Sequence, residues 1–157
     1  MLLAALTGIA LVYFVMPSRA QGSCETWAAE VWEDEGGPVL TAAACARQFP
    51  DAWLSLTCFE GTLALRHDLA YGAERSPDLD EEREVEFFIG DGAETVQMAH
   101  QAMDGLFVGL VPADGALARM LAEGEELTIA DTDSFYPLRT FSLAGAGEAI
   151  DAIRAGC

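Results

Sequence analysis

The segment from Trp53 to Leu69, WLSLTCFEGTLALRHDL, alternates apolar and polar residues on both sides of a Glu60-Gly61 pair. A period of two is the period of a strand, and glycine in a two-residue connection marks a hairpin turn. With Glu60-Gly61 as the turn, Phe59 stands opposite Thr62. Cys58 then pairs with Leu63, Leu56 with Leu65, and Leu54 with His67. These residues share one apolar face, which turns toward the core. Thr57 with Ala64, Ser55 with Arg66, and Trp53 with Asp68 share the other. The register therefore sends a cysteine inward at the turn end of the hairpin.

The remaining punctuation points to more strands. Trp27 to Glu33 and Val39 to Ala46 flank Glu35-Gly36-Gly37-Pro38 and read as a first hairpin. Phe49-Pro50-Asp51 reads as a turn into the second. Tyr71 to Glu84 reads as a polar, acidic loop. Val85 to Ile89, Glu94 to Met98, Leu106 to Val111, Leu127 to Ala130 and Leu138 to Leu143 read as strands, with turns at Gly90-Asp91-Gly92 and Met103-Asp104-Gly105. A short helix is expected after Asp114 as its cap, with Leu117, Met120 and Leu121 on one face and Gly124 at its end. A second closes the chain, with Ala149, Ile150 and Ile153 at helical spacing.

Four cysteines, Cys24, Cys45, Cys58 and Cys157, form an even set that allows three pairings. No C-x-x-C pair is present, so neither a zinc site nor a dithiol redox motif has support. Cys157 follows Ile150 by two helical turns and returns to its face. Cys58 faces the core as well. The arrangement pairs Cys58 with Cys157, and leaves Cys24 to close the first hairpin with Cys45.

Export fits disulfides, and the first twenty residues read as an export signal. Leu2 to Met16 is uncharged and apolar, Pro17 breaks it, and Ser18-Arg19-Ala20 ends it as a signal peptidase site does. Cleavage is expected after Ala20, leaving residues 21–157 as a single β-rich domain in the bacterial periplasm or outside the cell. An uncleaved anchor is disfavoured because a span needs ~20 apolar residues. A lipoprotein acylated at Cys24 is disfavoured because Gln21-Gly22-Ser23 lacks the usual aliphatic residue.

The chain carries 8 basic and 26 acidic residues, a net charge of −18, and all its basic residues are arginine. The absence of Lys and Asn, whose codons are rich in A, suits a GC-rich genome. So acidic a surface argues against nucleic acid and anionic membrane as partners, since both would be repelled. Solubility is the plainest use of the charge; a cationic partner is another.

The stretches "EVEFFIGDGAETVQMAHQAMDGLFVGLV", "LARMLAEGEELTIAD" and "TFSLAGAGEAIDAIRAGC" carry a resemblance. They resemble small exported alphaproteobacterial proteins of unknown function. More distantly, they are similar to the envelope proteins called VasI or TagO that accompany type VI secretion: Val85, Phe87, Ile89, Gly90 and Asp91 approximate the first motif of those proteins, and Phe141, Leu143, Gly145, Ala149, Ile150 and Cys157 match the second. The resemblance covers roughly residues 58–157. It implies a strand-rich domain ending in a phenylalanine strand, a glycine and a short helix to cysteine. An arginine of the first motif is missing, and the Cys24–Cys45 region has no counterpart. The motifs are structural, so no secretion role is carried over.

Catalytic chemistry finds little footing. His67 and Asp68 are strand neighbours and face opposite sides. No G-x-S-x-G occurs, and nothing places a serine beside His67 or His100. His67 reads as a locally bonded histidine at the mouth of the core. Asp78, Asp80, Glu81, Glu82, Glu84, Asp131 and Asp133 offer oxygen to calcium, but without EF-hand spacing they read as a solvated acidic loop. Met98, Met103 and Met120 read as core fillers. Trp27, Trp32 and Trp53 belong either to the core or to a binding patch. Trp53 falls on the outer face beside Arg66, a combination suited to recognition, with packing under the first hairpin as its other fate.

The chain is thus expected to form an antiparallel β-sandwich or partly open barrel with two short helices and two disulfides. No enzyme activity, cofactor or metal is expected. The expected role is a binding or accessory domain of the cell envelope, acting on an envelope protein or ligand. The alternative is an envelope hydrolase or an inhibitor of one.

Overall fold

The computed structural model describes residues 24–157; the expected signal segment and its cut after Ala20 lie outside them. The strands are β1 (Ala28–Asp34), β2 (Gly37–Ala46), β3 (Phe49–Phe59), β4 (Thr62–His67), β5 (Glu82–Ile89), β6 (Gly92–Gln101), β7 (Leu106–Pro112), β8 (Glu126–Asp131) and β9 (Arg139–Ser142). Helix α1 (Ala116–Glu123) lies between β7 and β8, and α2 (Ala146–Ala155) ends the fold. The strands form a single nine-stranded sheet in the order β1-β2-β3-β4-β7-β6-β5-β8-β9. Its ladders are antiparallel. Of the two architectures expected, the structure is the partly open barrel rather than two stacked sheets.

The sheet curls without closing. The Trp27 N–H donates to the Ala144 carbonyl at 2.9 Å, and the Arg47 N–H to the Thr140 carbonyl at 2.8 Å. These bonds link the two ends, but no ladder joins β1 or β2 to β9. Trp27 is core, and its indole N–H donates to the Ser142 carbonyl at 2.8 Å.

The central hairpin has the register read from its alternation: Phe59 opposite Thr62, Cys58 opposite Leu63, Leu56 opposite Leu65, Leu54 opposite His67. Glu60 and Gly61 both have positive φ, 48° and 78°, as a two-residue turn matching strand twist requires. Leu54, Leu56, Leu63 and Leu65 are fully buried with Phe87, Phe107, Phe141 and Met98. Helices α1, through Leu117 and Leu121, and α2, through Ala149, Ile150 and Ile153, bury their apolar faces in the same cluster.

Both disulfides have the expected pairing. Cys24 joins Cys45 with Cα atoms 5.3 Å apart, and Cys58 joins Cys157 at 5.2 Å. Cys58 therefore faces the end of α2, and the Cys157 sulfur also accepts the Gly61 N–H at 3.2 Å.

Several boundaries differ from expectation. The first turn is the Glu35-Gly36 pair alone, so β2 starts at Gly37. Phe49-Pro50-Asp51 is strand, not turn; the reversal falls at Arg47-Gln48, where Gln48 has φ 64°. Pairing of β3 with β4 stops at His67, so Trp53 and Asp68 are not partners. Asp114 does not cap α1: Gly115 holds that position, and no side-chain cap forms. Met103 is not a core filler but 91% exposed, because it sits in the turn between β6 and β7. Met98 is buried, and Met120 packs partly against the core.

Candidate functional site

The outer face of the sheet at β1 to β4 carries the residues singled out for recognition. Arg66 pairs with Ser55, and Trp53 with Cys45, so Trp53, Ser55, Arg66 and the Cys24–Cys45 bridge lie on the face away from the core. Trp53 is 38% exposed, neither free nor fully covered. What touches it is Trp32 of β1, edge to face, with ring centroids 6.1 Å apart. Trp32 is itself 39% exposed.

The first hairpin reaches further than a flat sheet allows. Asp34 of β1 pairs with Arg66 of β4, Oδ2 to Nη1 at 3.3 Å. Three strand spacings alone would set them at least about 14 Å apart in a flat sheet. The hairpin tip therefore bends over the outer face and roofs a crevice of about 170 Å³, whose walls include Trp32, Val39, Arg66 and Leu106. Thr41 and Ser55 also line it, and both are buried. The Thr41 hydroxyl donates to the Val39 carbonyl at 3.3 Å. The Arg66 Nε is enclosed and has no hydrogen-bond partner. The Glu35 N–H and then the Arg66 guanidinium hold the Asp34 carboxyl below its ordinary range. Further along the same face, Phe59 and Leu110 are largely exposed.

Trp53 and Arg66 thus share a face, as their register requires. Trp32 was legible only as one of three tryptophans with two fates. Asp34, Thr41 and Ser55 were missed. The alternation of β1 puts Trp32 and Asp34 on one face, but nothing in it announces the bend that brings them over β4.

Both histidines are tied to backbone carbonyls. His67 is not at the mouth of the core but within it, 1% exposed, because Phe141 of β9 packs edge-on against its ring at 5.5 Å. Its Nδ1 lies 2.7 Å from the Trp53 carbonyl oxygen, so Nδ1 carries the proton and donates. The enclosed Nε2 has no partner. Burial first, and the Arg139 charge as well, overcome that hydrogen bond and push the imidazole down to about 4. Asp68 instead accepts the Ala70 N–H at 3.0 Å. The His100 Nδ1 donates to the Asp78 carbonyl at 2.9 Å.

The acidic loop is not uniformly solvated. Glu81 is buried and accepts from Arg75 at 2.6 Å, Arg83 at 2.6 Å, the Tyr136 hydroxyl at 2.7 Å and the Asp78 N–H at 2.9 Å. Burial opposes its charge, but the Asp78 N–H, Tyr136, Arg83 and Arg75 outweigh it and hold the carboxyl at about 2. Arg83 also pairs with Asp133 at 3.0 Å and lies 4.3 Å over the Phe135 ring. Asp131 accepts the Phe135 N–H at 2.8 Å. This cluster ties residues 75–83 to residues 131–136. Strand β5 already begins at Glu82, inside the stretch read as loop. Among the described residues, no three His, Cys, Asp or Glu side chains are grouped to hold a metal ion. No helix among them is long and apolar enough to cross a membrane.

No protein-family model matches the chain, and no curated protein does. The fold is similar to the crystal structure of invasion associated protein B from Bartonella henselae. The TM-score is 0.53 and the identity 14%, over 80% of this chain and 90% of that one. At that identity the likeness is one of fold.

Proposed function

We propose that the chain is an exported, non-enzymatic binding or accessory domain of the cell envelope, and that it engages its partner through the outer face of β1 to β4. The observation that carries this reading is the half-exposed Trp32–Trp53 pair beside the Arg66–Asp34 ion pair. Tryptophan and arginine are the side chains that most often dominate a binding interface, and a tryptophan left in solvent is a large apolar surface unused by the fold. The two disulfides support an oxidising compartment. The resemblance of the second half to exported envelope proteins, and a fold shared with an invasion associated protein, are compatible with that setting. The charge of −18 favours a neutral or cationic partner over an anionic one.

Affinity capture from the native envelope tests the reading. Trp53→Ala should weaken capture by ~2 kcal/mol or more, the scale of an interface hot spot. Leu79→Ala, at an exposed apolar residue of the acidic loop, should leave capture unchanged. A folded Trp53→Ala variant that captures everything the parent does removes the proposal.

A further inference from the structure

The crevice under the first hairpin has a composition that selects a class of ligand. Trp32, Val39 and Leu106 give it apolar walls, Thr41 and Ser55 place hydroxyl groups in it, and Arg66 and Asp34 stand together in its lining. We infer that it is a subsite for one neutral sugar ring, seated between the Trp32 indole and the Arg66–Asp34 pair. The inference rests on the outer face being a recognition surface and names what part of that surface takes.

Three observations carry it. The first is the division of the lining into apolar and hydrogen-bonding groups. A pyranose has C–H groups on its ring faces and hydroxyls around its edge. Its C–H bonds, weakly positive at hydrogen, suit the electron-rich face of an indole. Its hydroxyls both donate and accept, as a lining that contains a guanidinium, a carboxylate and two alcohols demands.

The second observation is unused hydrogen-bonding capacity. The Arg66 Nε, on a side chain that lines the crevice, is enclosed and has no acceptor among the described residues. Buried polar groups in folded proteins are nearly always satisfied, and a hydroxylated ligand held against Arg66 offers the missing acceptor.

The third is charge and size together. Glu33, Asp34 and Arg66 leave the lining at a net charge of −1 in a molecule at −18, so an anion is repelled. Asp34 and Arg66 already pair with each other, so neither is a free counter-ion for a charged ligand, and the hydrogen-bonding groups suit an uncharged hydroxylated one. About 170 Å³ is below the ~300 Å³ at which pockets for drug-sized molecules begin. One ring fills it, and the rest of an oligosaccharide would run out along Trp53.

Saturation-transfer NMR on the exported protein tests the inference. The probes are glucose, galactose, mannose and N-acetylglucosamine, with glucuronate and glucosamine as charged counterparts. At least one neutral sugar should receive saturation at millimolar concentration, and it should shift the Trp32 indole N–H signal. Trp32→Ala and Arg66→Met should each weaken its binding about tenfold. Leu110→Ala, on the same face but outside the crevice, should not. The inference is overturned if no neutral sugar receives saturation, if affinity survives Trp32→Ala, or if a charged sugar binds more tightly than its neutral parent. Loss of partner capture in Trp53→Ala without any sugar binding would sink the sugar subsite and leave the recognition surface standing. Neither effect would sink both.

Discussion

His67 shows what one buried side chain does to the pH response of the fold. Its pKa is about 4 when folded against an ordinary 6.5. Between those values the unfolded chain binds a proton that the folded chain refuses. The stability present above pH 6.5 is therefore lost as pH falls toward 4, by on the order of 3 kcal/mol. Glu81, at about 2 against an ordinary 4.5, adds a second and more acidic window, with its contribution lost as pH falls from 4.5 to 2. Urea unfolding of the parent at pH 7 and pH 4.5 should show a clear drop, and His67→Leu should show a smaller one. An equal drop in both would mean that other groups set the acid response. The alternation of β4 placed His67 on the inner face, because its partner Leu54 is apolar. Its depth was not legible, because Phe141, which seals it, lies far along the chain. Glu81 was illegible for a related reason. A run of acids looks solvated until Arg75, Arg83 and Tyr136 are brought around one of them.

At the scale of elements, the two disulfides hold different things. The Cys58–Cys157 bridge closes a separation of 99 residues and fixes the end of α2 against the Glu60-Gly61 turn. The Cys24–Cys45 bridge closes 21 residues on the outer face beside Trp53. Loop entropy alone makes the first worth about 4.7 kcal/mol and the second about 3. Cys157→Ser, with Cys58→Ser to avoid a free thiol, should lower the thermal midpoint further than the Cys24→Ser, Cys45→Ser pair. It should also raise amide exchange throughout α2. Equal losses would mean that α2 is held by Ile150 and Ile153 without help from the bridge. The hairpins and this pairing were readable because a period of two and a helical spacing each fix a face from neighbouring residues. Where a turn needs an unusual backbone at an ordinary residue, as at Gln48, the sequence carries no mark of it. Asp114 failed as a cap because two adjacent residues, Asp114 and Gly115, both suit that position, and the chain entered the helix one residue later.

The whole molecule is a curled, unclosed sheet with its helices on the core side and its first hairpin bent over the other side. That bend brings Asp34 of β1 to Arg66 of β4, three strands away in the sheet, and no local pattern encodes it. It gathers into the proposed recognition surface residues of β1, β3 and β4 that alternation assigns only to a face. An exported domain should also have lost residues 1–20, so its intact mass should begin at Gln21. A mass that retains Met1 to Ala20 would support an anchored protein instead. The surface itself is tested most directly by photo-crosslinking in living cells, with a benzoyl-phenylalanine at position 53 and, separately, at position 79. A discrete adduct is expected from position 53 and absent from position 79. No adduct from position 53, or the same adducts from both, would contradict it.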